Sequence, residues 1–435
     1  MKGVQTVNVI GAGLAGCEAA LRLSEDGFKV RLFECKPNEM TPAHASAGLA
    51  ELVCSNSLKS DLLTTASGLL KAELRQLGCR LLEAADAARV PAGSALAVDR
   101  AKFSAAITEL IAADGNIEVI HKTVADWDEN EYTIIATGPL TLNELSKSIE
   151  RRLGKGLHFF DAAAPIVDGA SIDFTQAFTA DRYGRGEGDY INCPMDKSRY
   201  EDFIDALIAA ECAVLKDFEK SDVFEGCMPV EVMAKRGRDT LRFGPLRPVG
   251  FLDVNGKRPY AVVQLRRENT AGESFNIVGF QTNLKFGEQE RVFRMIPALK
   301  DAEFLRFGVM HRNTFINAPV TINANFQTLK YPKTFIAGQL SGVEGYVESI
   351  MSGLVAALSV SALLKDAPPP RFPLTTIVGA LCAYLETPNS AVQPMNANFG
   401  LLPSVGAGVK DKKDKNAKKL FLSEKSLKDL KNAGF

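Results

Sequence analysis

The feature that most constrains this chain is the hexapeptide Gly11-Ala12-Gly13-Leu14-Ala15-Gly16, because of what stands on either side of it. Val7, Val9 and Ile10 lead into it as a short β-branched run. An Ala/Leu-rich helical stretch follows to Glu25, and Gly27 stands where a helix would stop. A second strand, 30–33, ends at Glu34, eighteen residues beyond Gly16. Strand, G-x-G-x-x-G, helix, strand and acid in this order form a dinucleotide-binding fingerprint. Gly11 permits the tight turn, Gly13 lets the backbone approach a pyrophosphate, and Gly16 lets helix and strand pack closely. The helix N-terminus then offers its N–H groups and the positive end of its dipole to the phosphates. Glu34 is placed to accept hydrogen bonds from a ribose diol.

NAD and FAD share that fingerprint, and two later segments favour FAD. Residues 132–138 read as a buried strand ending in Ala136-Thr137-Gly138. Residues 334–338 form another strand that runs through a glycine-rich loop, with Gly338, Glu344 and Gly345, into a helix from about Tyr346 to Leu364. Two-dinucleotide flavoproteins of the glutathione-reductase type are similar: an Ala-Thr-Gly turn closes the first half, and a late strand-Gly-helix unit returns to cover the flavin. The expected fold is therefore α/β, a glutathione-reductase-like FAD-binding Rossmann domain.

With 435 residues the chain has room for more than one domain. The pattern changes near residue 190. A strand leaves the sheet, and residues 197–220 read as an acidic helix with Tyr200, Phe203, Ile204, Leu207 and Ile208 at helical spacing. Short Arg- and Gly-rich strands follow to about Arg312. This predicts an FAD domain over 1–190 and 313–403, an α+β insertion over 191–312, and a Lys-rich, solvated, partly helical tail over 404–435.

Net charge is −1, which excludes a bulk polycation, so any nucleic-acid surface must be local. Residues 235–312 hold 15 Lys and Arg against 8 Asp and Glu, whereas 189–234 hold 4 against 11. Arg236, Arg238, Arg242, Arg247 and the pair Arg266-Arg267 either line a phosphate-binding face or join acidic neighbours in ordinary surface ion pairs. Eight Cys lie scattered with no C-x-x-C, and four His are too few and too dispersed for a metal site, so no metal is expected. The absence of a signal-like leader and of an apolar run of 18 residues leads to the expectation of a cytoplasmic protein with reduced thiols and no membrane partner.

Two thiols stand in unusual settings. Cys54 precedes Ser55-Asn56-Ser57, residues suited to capping a helix, and a thiol at a helix N-terminus has a lowered pKa. Cys227 lies in Gly226-Cys227-Met228-Pro229, a turn ahead of the basic stretch. Cys17, Cys35, Cys79, Cys212 and Cys382 read as small buried hydrophobes.

The strings ELVCSNSL (51–58), VPAGSALAVDR (90–100), FEGCMPVEVMA (224–234), GVMHRNTFINAP (308–319) and GQLSGVEGYVES (338–349), with GAGLAG, closely resemble one family over roughly residues 4–403. It is the folate- and FAD-dependent tRNA uracil-5 methyltransferase family, TrmFO, formerly Gid. Ser94 and Leu340 depart from its pattern, and the Lys-rich tail has no clear counterpart in it. The resemblance implies methylation of the T-loop uridine at position 54 of tRNA, with 5,10-methylenetetrahydrofolate as one-carbon donor and NAD(P)H as reductant. A related branch acts on 23S rRNA. The family's two functional cysteines match Cys54 and Cys227, with Cys227 assigned as the nucleophile at uracil C6 and Cys54 as general acid/base or nucleophile partner. The rival classes are a wobble-uridine modifier, which needs a longer helical C-terminus, a small-molecule flavin oxidoreductase, and a silent RNA-binding flavoprotein.

Overall fold

The computed structural model describes residues 5–41, 43–184, 188–213, 228–253, 256–388, 392–404 and 414–435. Cys227 lies outside these residues.

The first sheet is parallel and ordered β16-β7-β1-β2-β6, made of β1 (Thr6–Ile10), β2 (Lys29–Glu34), β6 (Ile117–His121), β7 (Thr133–Ile135) and β16 (Thr334–Ile336). Its central strands are apolar on both faces because helices cover both. The last strand in sequence pairs with β7, Thr334 opposite Thr133, so the chain returns to this sheet after a long excursion. A small sheet, β3-β5-β4, is built from β3 (Ser57–Ser60), β4 (Arg89–Val90) and β5 (Ala95–Val98). An antiparallel ribbon of β8 (Leu157–Ala162) and β15 (Met310–Phe315) carries the chain out and back.

Between the ribbon strands lies the second sheet, β10-β11-β12-β13-β9-β14. Its strands are β9 (Ile166–Asp168), β10 (Phe178–Thr179), β11 (Tyr190–Met195), β12 (Ala261–Arg267), β13 (Ser274–Ile277) and β14 (Phe304–Arg306). The boundary expected at 190/191 therefore falls inside this sheet. β9 and β10 precede the compositional change but pair antiparallel with β13 and β11, and Ala164, Val167 and Ile172 belong to the second core.

The helices are α1 (Leu14–Glu25), α2 (Ala66–Gln76), α3 (Arg80–Ala87), α4 (Arg100–Ala112) and α5 (Asn143–Leu153) in the first part of the chain. The second body carries α6 (Lys197–Ala209), α7 (Val230–Arg236), α8 (Thr240–Phe243) and α9 (Phe286–Phe293). After the return come α10 (Ala318–Thr321), α11 (Tyr346–Leu364), α12 (Ile377–Glu386) and α13 (Lys415–Asn432). On α6, Tyr200, Phe203, Ile204 and Leu207 are buried in the second core, as their spacing requires. Among the described residues α11 is the one helix long and apolar enough to cross a membrane, but it is the core helix of the first body, with Val347, Ile350, Leu354 and Val355 buried.

The described part of the Lys-rich C-terminus, 414–435, is not a solvated tail. Ser423, Ser426 and Leu430 fall on one face of α13 and are buried, while its lysines point outward. Phe435 stacks on Phe372 with ring centroids 4.6 Å apart. The anchor is Glu73 of α2. Its carboxylate accepts the Ile377 and Val378 N–H groups at the start of α12 (2.8 and 2.9 Å) and the Ser426 hydroxyl (2.6 Å). One buried acid thus ties three helices and caps one of them.

Glu73→Gln turns an NH2 group toward a main-chain donor and leaves a buried N–H unmet. We expect a loss of about 1–3 kcal/mol in urea unfolding. Glu109→Gln, on the exposed side of α4, should stay within about 0.5 kcal/mol of the parent.

Candidate active site

The strand order places the β1–α1 turn, the end of β7 and the end of β16 side by side, and a cleft of about 1130 Å³, counting space open to solvent, runs across them. Gly11 has φ +99°, and a Cβ there would sit 2.7 Å from the Ala136 carbonyl oxygen. At Gly16 a Cβ would lie 1.8 Å from the Gly11 carbonyl oxygen. Both glycines are thus required by the protein's own packing. Gly13 differs: a Cβ there meets nothing within 4 Å. The protein leaves that space open, and Gly13, Leu14 and Ala15 line the cleft, so the positive end of α1 faces it. A phosphate-bearing group fits this cradle.

Of the expected cofactor residues, Gly11, Ala12, Gly13, Leu14, Ala15, Glu34, Gly138, Gly338 and Tyr346 line the cleft. Gly16, Glu344 and Gly345 are not among the residues that line it. Glu344 accepts the Gln339 side-chain amide (2.8 Å), and Gly345 caps α11 with φ +116°. Glu34 is buried, with Oε2 accepting Ala12 N–H (2.9 Å) and Oε1 accepting Lys36 N–H (3.0 Å). It shapes the glycine loop as well as facing the cleft. Burial and then the Glu34 charge push the neighbouring Cys35 thiol up to about 11. Lys36, Thr41, His44, Glu51 and Lys122 also line the cleft and were not expected from the fingerprint. Thr41 Oγ1 lies 2.6 Å from His44 Nδ1, and burial, with the Lys36 charge second, holds the imidazole below its usual pKa.

Cys54 is not at the start of a helix. Ser55 and Asn56 lead into strand β3, so the capping residues are used in a turn. The helix terminus comes instead from far along the chain. Tyr346, first residue of α11, places its hydroxyl 2.9 Å from Cys54 Sγ, and accepts the N–H groups of Cys54 (2.8 Å) and Ser55 (3.1 Å). Burial, followed by the nearby thiol, pushes this phenol well above its usual pKa. Val53 and Tyr346 both line the cleft, which puts the thiol at its edge.

Arginines from three elements surround the Cys54 loop. Arg100 of α4 donates to the Leu52 carbonyl (2.9 Å), pairs with Glu268 (2.6 Å) and acts electrostatically on Cys54. Arg306 of β14 also lies within electrostatic reach of Cys54 and Tyr346, and burial, then Arg100, depresses its pKa. Arg266 corrects the expectation of a phosphate-binding pair at 266–267. Its side chain is 6% exposed and donates to Asn56 Oδ1 and Ser55 Oγ, both at 2.8 Å. The buried face of β12 takes it to the junction of the two bodies. Cys17, Cys79 and Cys382 are buried, and desolvation raises all three thiols, Cys382 to about 12. Cys35 and Cys212 are only half-buried.

Arg236 ends α7 and is exposed, as are Arg238 and Arg247. Arg238 pairs with Asp205. Arg247 offers its carbonyl to Arg182 (2.9 Å). Arg242 is held by Asp239 (2.8 Å) and lies 3.6 Å over the Tyr260 ring. No group of three or more His, Cys, Asp or Glu suited to a metal occurs among the described residues.

Residues 6–368 match the family model described as glucose inhibited division protein A. A protein of Acetivibrio thermocellus named methylenetetrahydrofolate--tRNA-(uracil-5-)-methyltransferase TrmFO is 54% identical over 429 residues, 98% of each chain. A protein of the same name from Lactiplantibacillus plantarum is 52% identical over 433 residues, 99% of this chain and 97% of that one. Among solved structures, Aquifex aeolicus GidA in its form II crystal matches with a TM-score of 0.71 at 16% identity, over all of this chain and 74% of that one, a likeness of fold. With half-identical relatives covered almost end to end and the family model spanning most of its length, this chain belongs to the GidA protein family and, within it, to the TrmFO family.

Proposed function

We propose that this protein methylates C5 of a uridine in tRNA, taking the one-carbon unit from 5,10-methylenetetrahydrofolate with FAD in the cleft and NAD(P)H as reductant. The observation that carries this is the placement of Cys54 against Tyr346 at the edge of a dinucleotide-shaped cleft. The names of the half-identical relatives favour methyl transfer over small-molecule flavin oxidoreduction. Reduced FAD held there would supply the hydride that brings a one-carbon unit from the formaldehyde level to methyl.

The chain's own residues have defined tasks in this reading. The 11–15 loop and the start of α1 hold the pyrophosphate. Glu34, with one N–H on each oxygen, keeps further lone pairs for a ribose diol. Uracil C5 is a poor nucleophile. A thiolate adding at C6 breaks the C5–C6 double bond and moves the electron pair onto the C4 carbonyl, giving an enolate that attacks through C5. Cys227 is the proposed nucleophile. Once C5 has bonded to the folate methylene carbon, Cys54, its acid/base partner, takes the C5 proton, tetrahydrofolate leaves through its nitrogen to give an exocyclic methylene, and hydride addition to that carbon expels the Cys227 thiolate and re-forms the C5–C6 double bond. The base reaches these thiols only by leaving its stack. The T-loop uridine of tRNA is the proposed target, a 23S rRNA uridine the second. The exposed Arg236, Arg238 and Arg247, with half-buried Arg242, form the proposed phosphate-contacting surface.

Five measurements test this. Gly13→Val should fold like the parent, since its Cβ meets no protein atom, yet lose flavin absorbance on dilution; Gly16→Ala should lower the melting temperature itself. Retained FAD in Gly13→Val would reject the cradle. Cys227→Ala should bind FAD and accept hydride from NAD(P)H but transfer no methyl group to tRNA. With 5-fluorouridine tRNA the parent should give a denaturation-resistant adduct that Cys227→Ala abolishes and Cys54→Ala preserves; nucleoside mass spectrometry of tRNA and rRNA from a deletion strain names the target. Reversing Arg236 and Arg238 to Glu should weaken tRNA binding and lower the slope of log affinity against log salt by about 1–2, leaving flavin reduction unchanged.

A further inference from the structure

Tyr346 was expected only as a cofactor contact, but its hydroxyl has a definite hydrogen-bond budget. It receives two main-chain N–H groups, from Cys54 at 2.8 Å and from Ser55 at 3.1 Å. A phenol oxygen that already accepts twice has no lone pair left for an S–H, while its own proton remains to be placed. The Cys54 sulfur is 2.9 Å away. The bond therefore runs from the phenol to the sulfur, and it is strongest when the sulfur carries the charge.

We propose that Tyr346 holds Cys54 as a thiolate by donating its phenolic proton in a hydrogen bond to the sulfur. Burial agrees with this, because it keeps the phenol protonated and so keeps it a donor. The cations facing the thiol act in the same direction. Arg100 of α4 and Arg306 of β14 both favour the anion, Arg100 tempered by its pair with Glu268 and Arg306 by Glu51. Without Tyr346 these cations remain, so the proposal concerns the donor alone. Tyr346 also pins the Cys54 and Ser55 backbone, so it positions the sulfur and tunes it with one oxygen atom. The inference rests on Cys54 being a working thiol. Its test uses neither RNA nor folate, so failure of the methyl-transfer reading would leave it readable.

The rate of iodoacetamide alkylation at Cys54, followed by peptide mass spectrometry on the flavin-loaded enzyme, gives the thiol's inflection against pH. Tyr346→Phe should move that inflection up by about 1–2 pH units, the size expected for a lost charge-assisted hydrogen bond. A merely structural role would change the rate at every pH without moving the inflection. Replacing Tyr346 by 3-fluorotyrosine keeps the shape and both accepted N–H bonds but makes the phenol a stronger donor, so the inflection should fall. This second variant also decides the matter should Tyr346→Phe fail to fold. An inflection unmoved by the fluorinated residue overturns the proposal whatever the phenylalanine variant does.

Discussion

The site depends on how closely helix α1 approaches its neighbours. A single methyl group at Gly16 would lie 1.8 Å from the Gly11 carbonyl oxygen, and one at Gly353 of α11 would lie 2.1 Å from the carbonyl oxygen of Ala15. Two helices far apart in sequence therefore meet backbone to backbone at the fingerprint. That contact does more than bury apolar area. It fixes where α11 begins, and α11 begins with Tyr346. The same packing that aims the positive end of α1 at the cleft thus delivers a phenol to Cys54. A bulkier residue at either glycine would widen the helix pair and move both functions together.

The second body meets the first at the loop that carries Cys54. Arg266 of β12 holds Ser55 and Asn56, Asn56 donates back to the Arg267 carbonyl (2.8 Å), and Arg100 reaches across to Glu268. Asp189 accepts the Gly93 N–H at 2.6 Å on the far side of the small sheet. A buried guanidinium is costly unless its donors are met, so these bonds select one docking of the two bodies. Any shift between them would have to break bonds to residues 55 and 56, directly beside the thiol. The geometry of the thiol and the placement of the basic segment 235–247 are therefore coupled through the interface.

How much of this the sequence disclosed follows sequence distance. The glycine loop, its helix and Glu34 were readable because strand, turn, helix and strand form within a few dozen residues under local rules. The buried face of α6 was readable for the same reason. The setting of Cys54 was not. Ser-Asn-Ser serves a cap or a turn equally well, and the choice was made by pairing of β3 with β5. The partner of the thiol lies 292 residues away, a contact only the fold creates. Arg266 looked like a surface cation because charge is visible in a sequence and burial against another body is not. The start of the second sheet was missed because β9 and β10 are too short to show alternation. The C-terminal helix was read as solvated because its seat depends on Glu73, 353 residues from Ser426.

What remains is a question of charge around one sulfur atom. Arg100, Arg266 and Arg306 all converge on residues 52–56 or their immediate surroundings, and each is wholly or largely withdrawn from solvent. Desolvation works against all three cations, and the acid paired most closely with them is Glu268, on Arg100. Three cations beside two carboxylates, Glu268 and Glu51, favour an additional anion. A neutral thiol would leave that field unused, whereas a thiolate lies where it is strongest, with the Tyr346 hydroxyl already oriented by two N–H groups to receive it. The same field acts on any anionic group drawn into the cleft edge. In the proposed reaction an enolate oxygen developing on a uracil ring would be such a group, so the cations that favour a charged sulfur would also stabilise charge moving onto the base.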